Sequence, residues 1–127
     1  MSNTELIKTY VAKTDLQGKE GYAVVGTTDA KIGNTSVVAL GGLNSKAVGI
    51  ITDGGLGAGT GASVQIGGFA RAIAGGAITA FAPLKVDANG ALIVASAETD
   101  VVVAFANEAI ASGKMGEVRV VTPRAFI

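Results

Sequence analysis

Residues Thr52 to Gly68 read TDGGLGAGTGASVQIGG, and the second half of this stretch decides the fold. Within it, Gly57-Ala58-Gly59-Thr60-Gly61-Ala62 matches the G-x-G-x-x-A spacing of dinucleotide-binding loops, and an apolar run, Val48 to Ile51, precedes it. Such a loop must open a helix, because the N–H groups of the helix N-terminus receive the pyrophosphate. Here the loop leads instead into Ser63-Val64-Gln65-Ile66-Gly67-Gly68, which alternates with period two and stops at paired glycines. That is the pattern of a strand. A phosphate-binding loop of the G-K-[ST] type is absent too: Gly18-Lys19-Glu20 and Gly113-Lys114-Met115 both fail at the third position. The stretch therefore reads as the loop and second strand of a strand-loop-strand unit.

The rest of the chain has the same grammar. Short runs rich in valine and isoleucine occur at Tyr22–Val25, Ser36–Leu40, Ala47–Ile51, Leu84–Val86, Ala91–Val94, Val101–Phe105 and Glu117–Val121. Glycine-containing turns separate many of them. Asp87-Ala88-Asn89-Gly90 predicts a hairpin turn with Gly90 in a left-handed conformation. Helix signals are weak. Phe69–Ala74 would support a helical turn or two before Gly75-Gly76, and Asn107 would cap a short turn closed by Gly113. The fold class expected is all-β: a compact barrel or sandwich of short strands with glycine-rich loops. The unit from Val48 to Ile66 also resembles the one from Val103 to Val120, with Ala58-Gly59 and Ser112-Gly113 at comparable places.

Composition narrows the function classes. The 127 residues suit one domain, and 49% hydrophobic residues supply its core. Glycine, at 19 residues, is about twice its usual ~7% share. Ten basic and ten acidic residues cancel, so no bulk charge attracts nucleic acid or an anionic membrane. Aromatic residues are 5%, too few for base-stacking platforms. No apolar run approaches the ~18 residues that span a bilayer, and no signal peptide is visible at Met1–Glu5.

The chain has no histidine and no cysteine. This removes the commonest general base, thiolate chemistry and the usual zinc ligands. The carboxylates are scattered singly apart from Glu98 and Asp100. No enzyme activity, cofactor or metal is expected. Were the chain a ligand-binding or enzymatic module instead, Asp53, Glu108 and Arg71 would be its candidate residues.

Residues 1–20 differ from the remainder. Leu6, Ile7, Tyr10 and Val11 are apolar, but Lys8, Lys13, Asp15, Lys19 and Glu20 interrupt them. They read as an extended N-terminal arm ahead of a single β-rich domain at 21–127; the plainer reading is a first strand followed by a loop. The end of the sequence, Phe126-Ile127, offers two more large apolar side chains. Leu6, Ile7, Tyr10, Val11, Phe126 and Ile127 are thus the candidate interface residues.

The order of elements from Ala47 to Ala95 resembles that of the small capsid decoration, or cement, proteins of tailed bacteriophages. The elements are a V-G-hydrophobic strand, an acidic small-residue loop, the VQIGG strand, AGGAI, and the LKVDANG hairpin. Val101 to Val121 is similar to their closing strand-loop-strand. Ala80-Phe81-Ala82-Pro83 departs from the family, which more often has glycine and aspartate there. The resemblance implies a structural protein on the outside of a phage capsid, made in the host cytoplasm. It would clamp neighbouring subunits of the major capsid protein, often as a homotrimer, with no nucleic acid or membrane partner. A tail or adhesin component is the related alternative.

Overall fold

The computed structural model describes residues 6–32 and 35–125. Nine strands form: β1 (Leu6–Ala12), β2 (Ala23–Gly26), β3 (Val37–Leu40), β4 (Gly49–Asp53), β5 (Gly61–Ile73), β6 (Pro83–Val86), β7 (Leu92–Val94), β8 (Val101–Ala106) and β9 (Met115–Ala125). No helix occurs among the described residues. The sheet order is β1-β3-β2-β4-β5-β9-β8-β6-β7, and β1 also pairs with β5. That extra pairing closes the first five strands into a barrel and leaves the ring without an edge. The all-β expectation is met.

The N-terminal stretch is extended, as expected, but from Leu6 it docks on its own chain. β1 lies antiparallel to β5, with Ile7 opposite Gln65 and Thr9 opposite Ser63. It lies parallel to β3, with Val11 opposite Val37. The physical reason is ring closure: without β1, strands β3 and β5 would each present unpaired N–H and C=O groups. The plainer reading, an ordinary first strand, is what residues 6–12 form.

β5 serves two rings. Gly61 to Gly67 pair with β1, and Ser63 to Gln65 also pair with β4; Gly68 to Ile73 then pair with β9. The strand bends between the two parts, where Gly68 takes φ +76, a value only glycine adopts freely. Gln65, buried at 3% exposure, holds the bend with its side-chain amide, donating to the carbonyls of Gly67 and Phe69. The stretch Phe69–Ala74, helical in its local propensity, is therefore strand through Ile73. Pairing with β9 overrides a local propensity worth under ~1 kcal/mol per residue. Asn107 caps no helix either; its Nδ2 donates to Glu117 Oε1.

The two rings repeat one design. In the first, β2 pairs antiparallel with β3 and with β4, and β4 pairs with β5. In the second, β6 pairs with β7 and β8, and β8 pairs with β9, all antiparallel. β1 is parallel to β3, and Ala74, next after β5, bridges Leu92 of β7 in parallel. Backbone hydrogen bonds match atom for atom. Ala12 N donates to Thr60 O and Gly59 N to Ala12 O, at 2.9 and 2.8 Å. Ala74 N donates to Lys114 O and Gly113 N to Ala74 O, also at 2.9 and 2.8 Å. Gly59 and Gly113 have φ +82 and +79. The repeated unit seen in the sequence is thus half of a repeat in which β5 is the last strand of one ring and the first of the next.

The cores repeat as well. Ala12, Leu16, Val24, Val38, Ile51 and Val64 fill the first barrel. By register their counterparts are Ala74, Ile78, Leu84, Leu92, Ala106 and Val118, all in the second core. Val24, Val64, Leu84 and Leu92 are completely buried, and each such side chain contributes roughly 1.5–3 kcal/mol. Ala23, Ala47 and Ile50 of the first repeat join the second core, so the rings share one apolar junction. Asn44 ties them further: its side chain donates to Thr99 O at 2.9 Å and accepts from Val101 N at 2.7 Å.

Candidate interaction surface

The glycine-rich loop uses its polar groups within itself and on Glu20 and Ala12. Gly54 N donates to Glu20 Oε2, Gly55 N to Asp53 Oδ1 and Leu56 N to Thr60 Oγ1. Thr60 Oγ1 in turn donates to Gly57 O at 2.6 Å. These N–H groups do not converge on an anion. The loop presents Leu56 outward, 84% exposed.

The candidate interface residues divide. Leu6 opens β1 opposite Gly67. Ile7 is 56% exposed on the outer face of β1, whereas Val11 is buried in the barrel wall and Tyr10 packs half-buried against the first core. In this fold Val11 is not available for a partner. Phe126 and Ile127 lie outside the described residues. Asp53, Glu108 and Arg71 do not assemble a site. Asp53 accepts from Gly55 N, Glu108 Oε2 accepts from Glu117 N, and Arg71 Nη2 reaches Met115 O at 3.4 Å. Of the three, only Arg71 lines the large cleft between the repeats.

Elsewhere Asp100 accepts hydrogen bonds from Ser96 N and Ala97 N and pairs with Lys85 Nζ at 2.8 Å. The Ala97 N–H, then the Lys85 ammonium and the Ser96 N–H, hold its pKa at about 2, below the usual 3.8. This carboxylate locks a turn. No group of three or more potential metal ligands occurs among the described residues.

A surface that sequence reading missed lies on the second repeat. Phe69, Arg119 and Phe105 face one another across β5, β9 and β8. The Arg119 guanidinium stacks 5.4 Å from the Phe105 ring. Beside them stands Phe81, 73% exposed with φ +65. A left-handed backbone is costly for a bulky residue and worth a functional explanation. Phe81, Phe105, Ala106, Asn107 and Arg119 line a cleft of 140 Å³. Aromatic side chains beside arginine make the composition of interface hot spots. The only sequence signal was Phe81 standing where the cement pattern has a turn residue.

No family model matches the chain, and no curated protein matches it in sequence. Among solved structures it is similar to the N base of the head fiber gp8.5 in bacteriophage phi29. The TM-score is 0.70 at 13% identity, over 96% of this chain and 99% of that one. The two share a fold from end to end. That protein is a head fiber base, where the sequence resemblance had suggested a cement protein.

Proposed function

We propose that the chain is a structural protein of a phage virion, carried on the outside of the head. The carrying observation is the end-to-end fold similarity to a phage head fiber base. It joins the independent likeness of Ala47–Ala95 to capsid decoration proteins. One feature of the sequence favours binding over catalysis: it lacks both histidine and cysteine. In this reading the partner is the major capsid protein. A protein that binds only the assembled lattice stabilises it by mass action, in proportion to RT ln(1 + [L]/Kd). One copy that touches two neighbouring capsid subunits would clamp them.

The test is co-sedimentation of the purified protein with heads assembled without it. Saturable binding, and a higher temperature of head disruption when sites are filled, is the expected result. Failure to pellet with heads, or binding to isolated tails instead, contradicts the proposal.

A further inference from the structure

The two clefts occupy equivalent places in the two repeats. By register and matching hydrogen bonds, Phe81, Phe105, Ala106, Asn107 and Arg119 correspond to Gly21, Ile50, Ile51, Thr52 and Gln65. The first-repeat site is covered by the second repeat: Phe69, Arg71 and Met115 close over Gly21, Ile51 and Gln65, leaving a 420 Å³ cleft. The second-repeat site is lined by its own repeat alone. β9 does not leave β8 at this point, whereas β5 leaves β4 after Gln65. Where β5 has Gly67-Gly68, β9 has Val121-Thr122; its register with β8 shifts there, and it then stays paired with β8, with Arg124 opposite Val102.

We propose that the Phe81–Phe105–Arg119 cleft receives the first repeat of a second copy of this chain, so that copies stack head to tail as the repeats stack within one copy. This goes beyond the virion assignment and does not depend on it. Side-chain sizes support it. Inside the chain, Gly21 (φ +90) meets Met115, and a Cβ on Gly21 would run into Met115 Cε. The counterpart of Gly21 is Phe81, and the counterpart of Met115 is Gly61. A small residue against a large one becomes a large residue against a small one, so the junction keeps its volume. This also accounts for a phenylalanine held in a left-handed conformation that the first repeat fills with glycine.

The remaining contacts correspond too. The counterparts of Phe69 and Arg71 are Ile7 and Thr9, both exposed on β1. Ile7, 56% exposed, would then be covered as a hydrophobic residue at an interface is. Gln65 satisfies its amide on the Gly67 and Phe69 carbonyls. Arg119, its counterpart, pairs with no carboxylate among the described residues, and the matching acceptor is the Ile7 carbonyl of the neighbouring copy. Because the two surfaces differ, the contact is heterologous and builds a ring or a filament rather than a two-fold dimer.

Sedimentation velocity over a concentration series tests this. The wild-type chain is expected to run as an assembly. Phe81→Gly removes one surface, and Gly61→Met blocks the other; each should fall to the mass of a single chain while keeping its circular dichroism spectrum. Mixed together, the two variants should form one-to-one dimers, since each retains the surface the other lacks. Ile7→Arg replaces Gly61→Met in the mixture should the latter fail to fold. A wild-type chain that stays single at every concentration overturns the proposal. So does a Phe81→Gly chain that assembles as wild type, or a mixture that does not pair.

Discussion

Position 21 and position 81 ask the backbone for the same thing. Both lie two residues before the second strand of their repeat, β2 and β6, and both have positive φ, +90 and +65. Gly21 meets the demand without strain, whereas Phe81 carries a cost of order 1–3 kcal/mol. Phe81→Gly should therefore leave the single chain as stable as wild type or more stable, by about 1 kcal/mol. Gly21→Ala should cost about 1–3 kcal/mol through backbone strain at φ +90, since the Met115 methyl group it would meet can swing aside. Thermal unfolding of the two variants under conditions of no self-association checks both, and a destabilised Phe81→Gly would refute the strain argument. Nothing in the letters around Phe81 announced its conformation. Positive φ is legible in a sequence when glycine marks it, as at Gly90 (φ +87), and is hidden when another residue bears it. Asp100 gives a residue-scale prediction of another kind. Its pKa is lowered from 3.8 to about 2 in the fold, so its stabilisation is present above pH 3.8 and is lost as pH falls toward 2. Asp100→Asn should unfold at lower temperature at pH 7, and the gap from wild type should shrink across that window. An unchanged gap between pH 4 and pH 2 would contradict the assignment.

At the scale of elements, the bend in β5 and the staple at Asn44 join the repeats. Gln65→Ala leaves two strand carbonyls without their donor and should cost about 1–3 kcal/mol. Asn44→Ala removes a donor contact to Thr99 and an acceptor contact to Val101 at the start of β8 and should cost on the order of 1 kcal/mol. Hydrogen exchange locates each effect. Protection should fall around Gly67–Phe69 in the first variant and around Thr99–Val101 in the second. Uniform loss across the chain would argue against local joints. The other strands are readable because each is a short apolar run ending near a turn, as in Ser63–Ile66 before Gly67-Gly68. β1 is harder to read. Lys8 and Thr9 interrupt its apolar residues, and its partners Ser63 to Gly67 lie far along the chain. Phe69–Ala74 misleads because alanine and arginine favour helix locally, while the pairing that makes a strand of it comes from β9.

For the whole molecule, sharing of β5 joins the closed five-stranded barrel to the second set of strands through a common junction core. The strand-loop-strand repeat is visible at Gly59 and Gly113. The remaining counterparts, such as Val24 with Leu84 or Gln65 with Arg119, share too little side-chain identity to be matched before the register is known. Of the interface candidates named from the sequence, Ile7 is exposed on β1 and Val11 is buried. The aromatic cleft depends on three strands meeting side by side, which no local pattern encodes. Exposed apolar residues at Ile7, Leu56, Phe69 and Phe81 suit a protein whose work is attachment. For the proposed virion role, the most direct measurement is a cryo-electron reconstruction of phage particles whose genome encodes this chain. Density fitting this nine-stranded fold on the outer surface of the head, absent when the gene is deleted, is the expected result. Heads that look identical with and without the gene, or density confined to the tail, would contradict it.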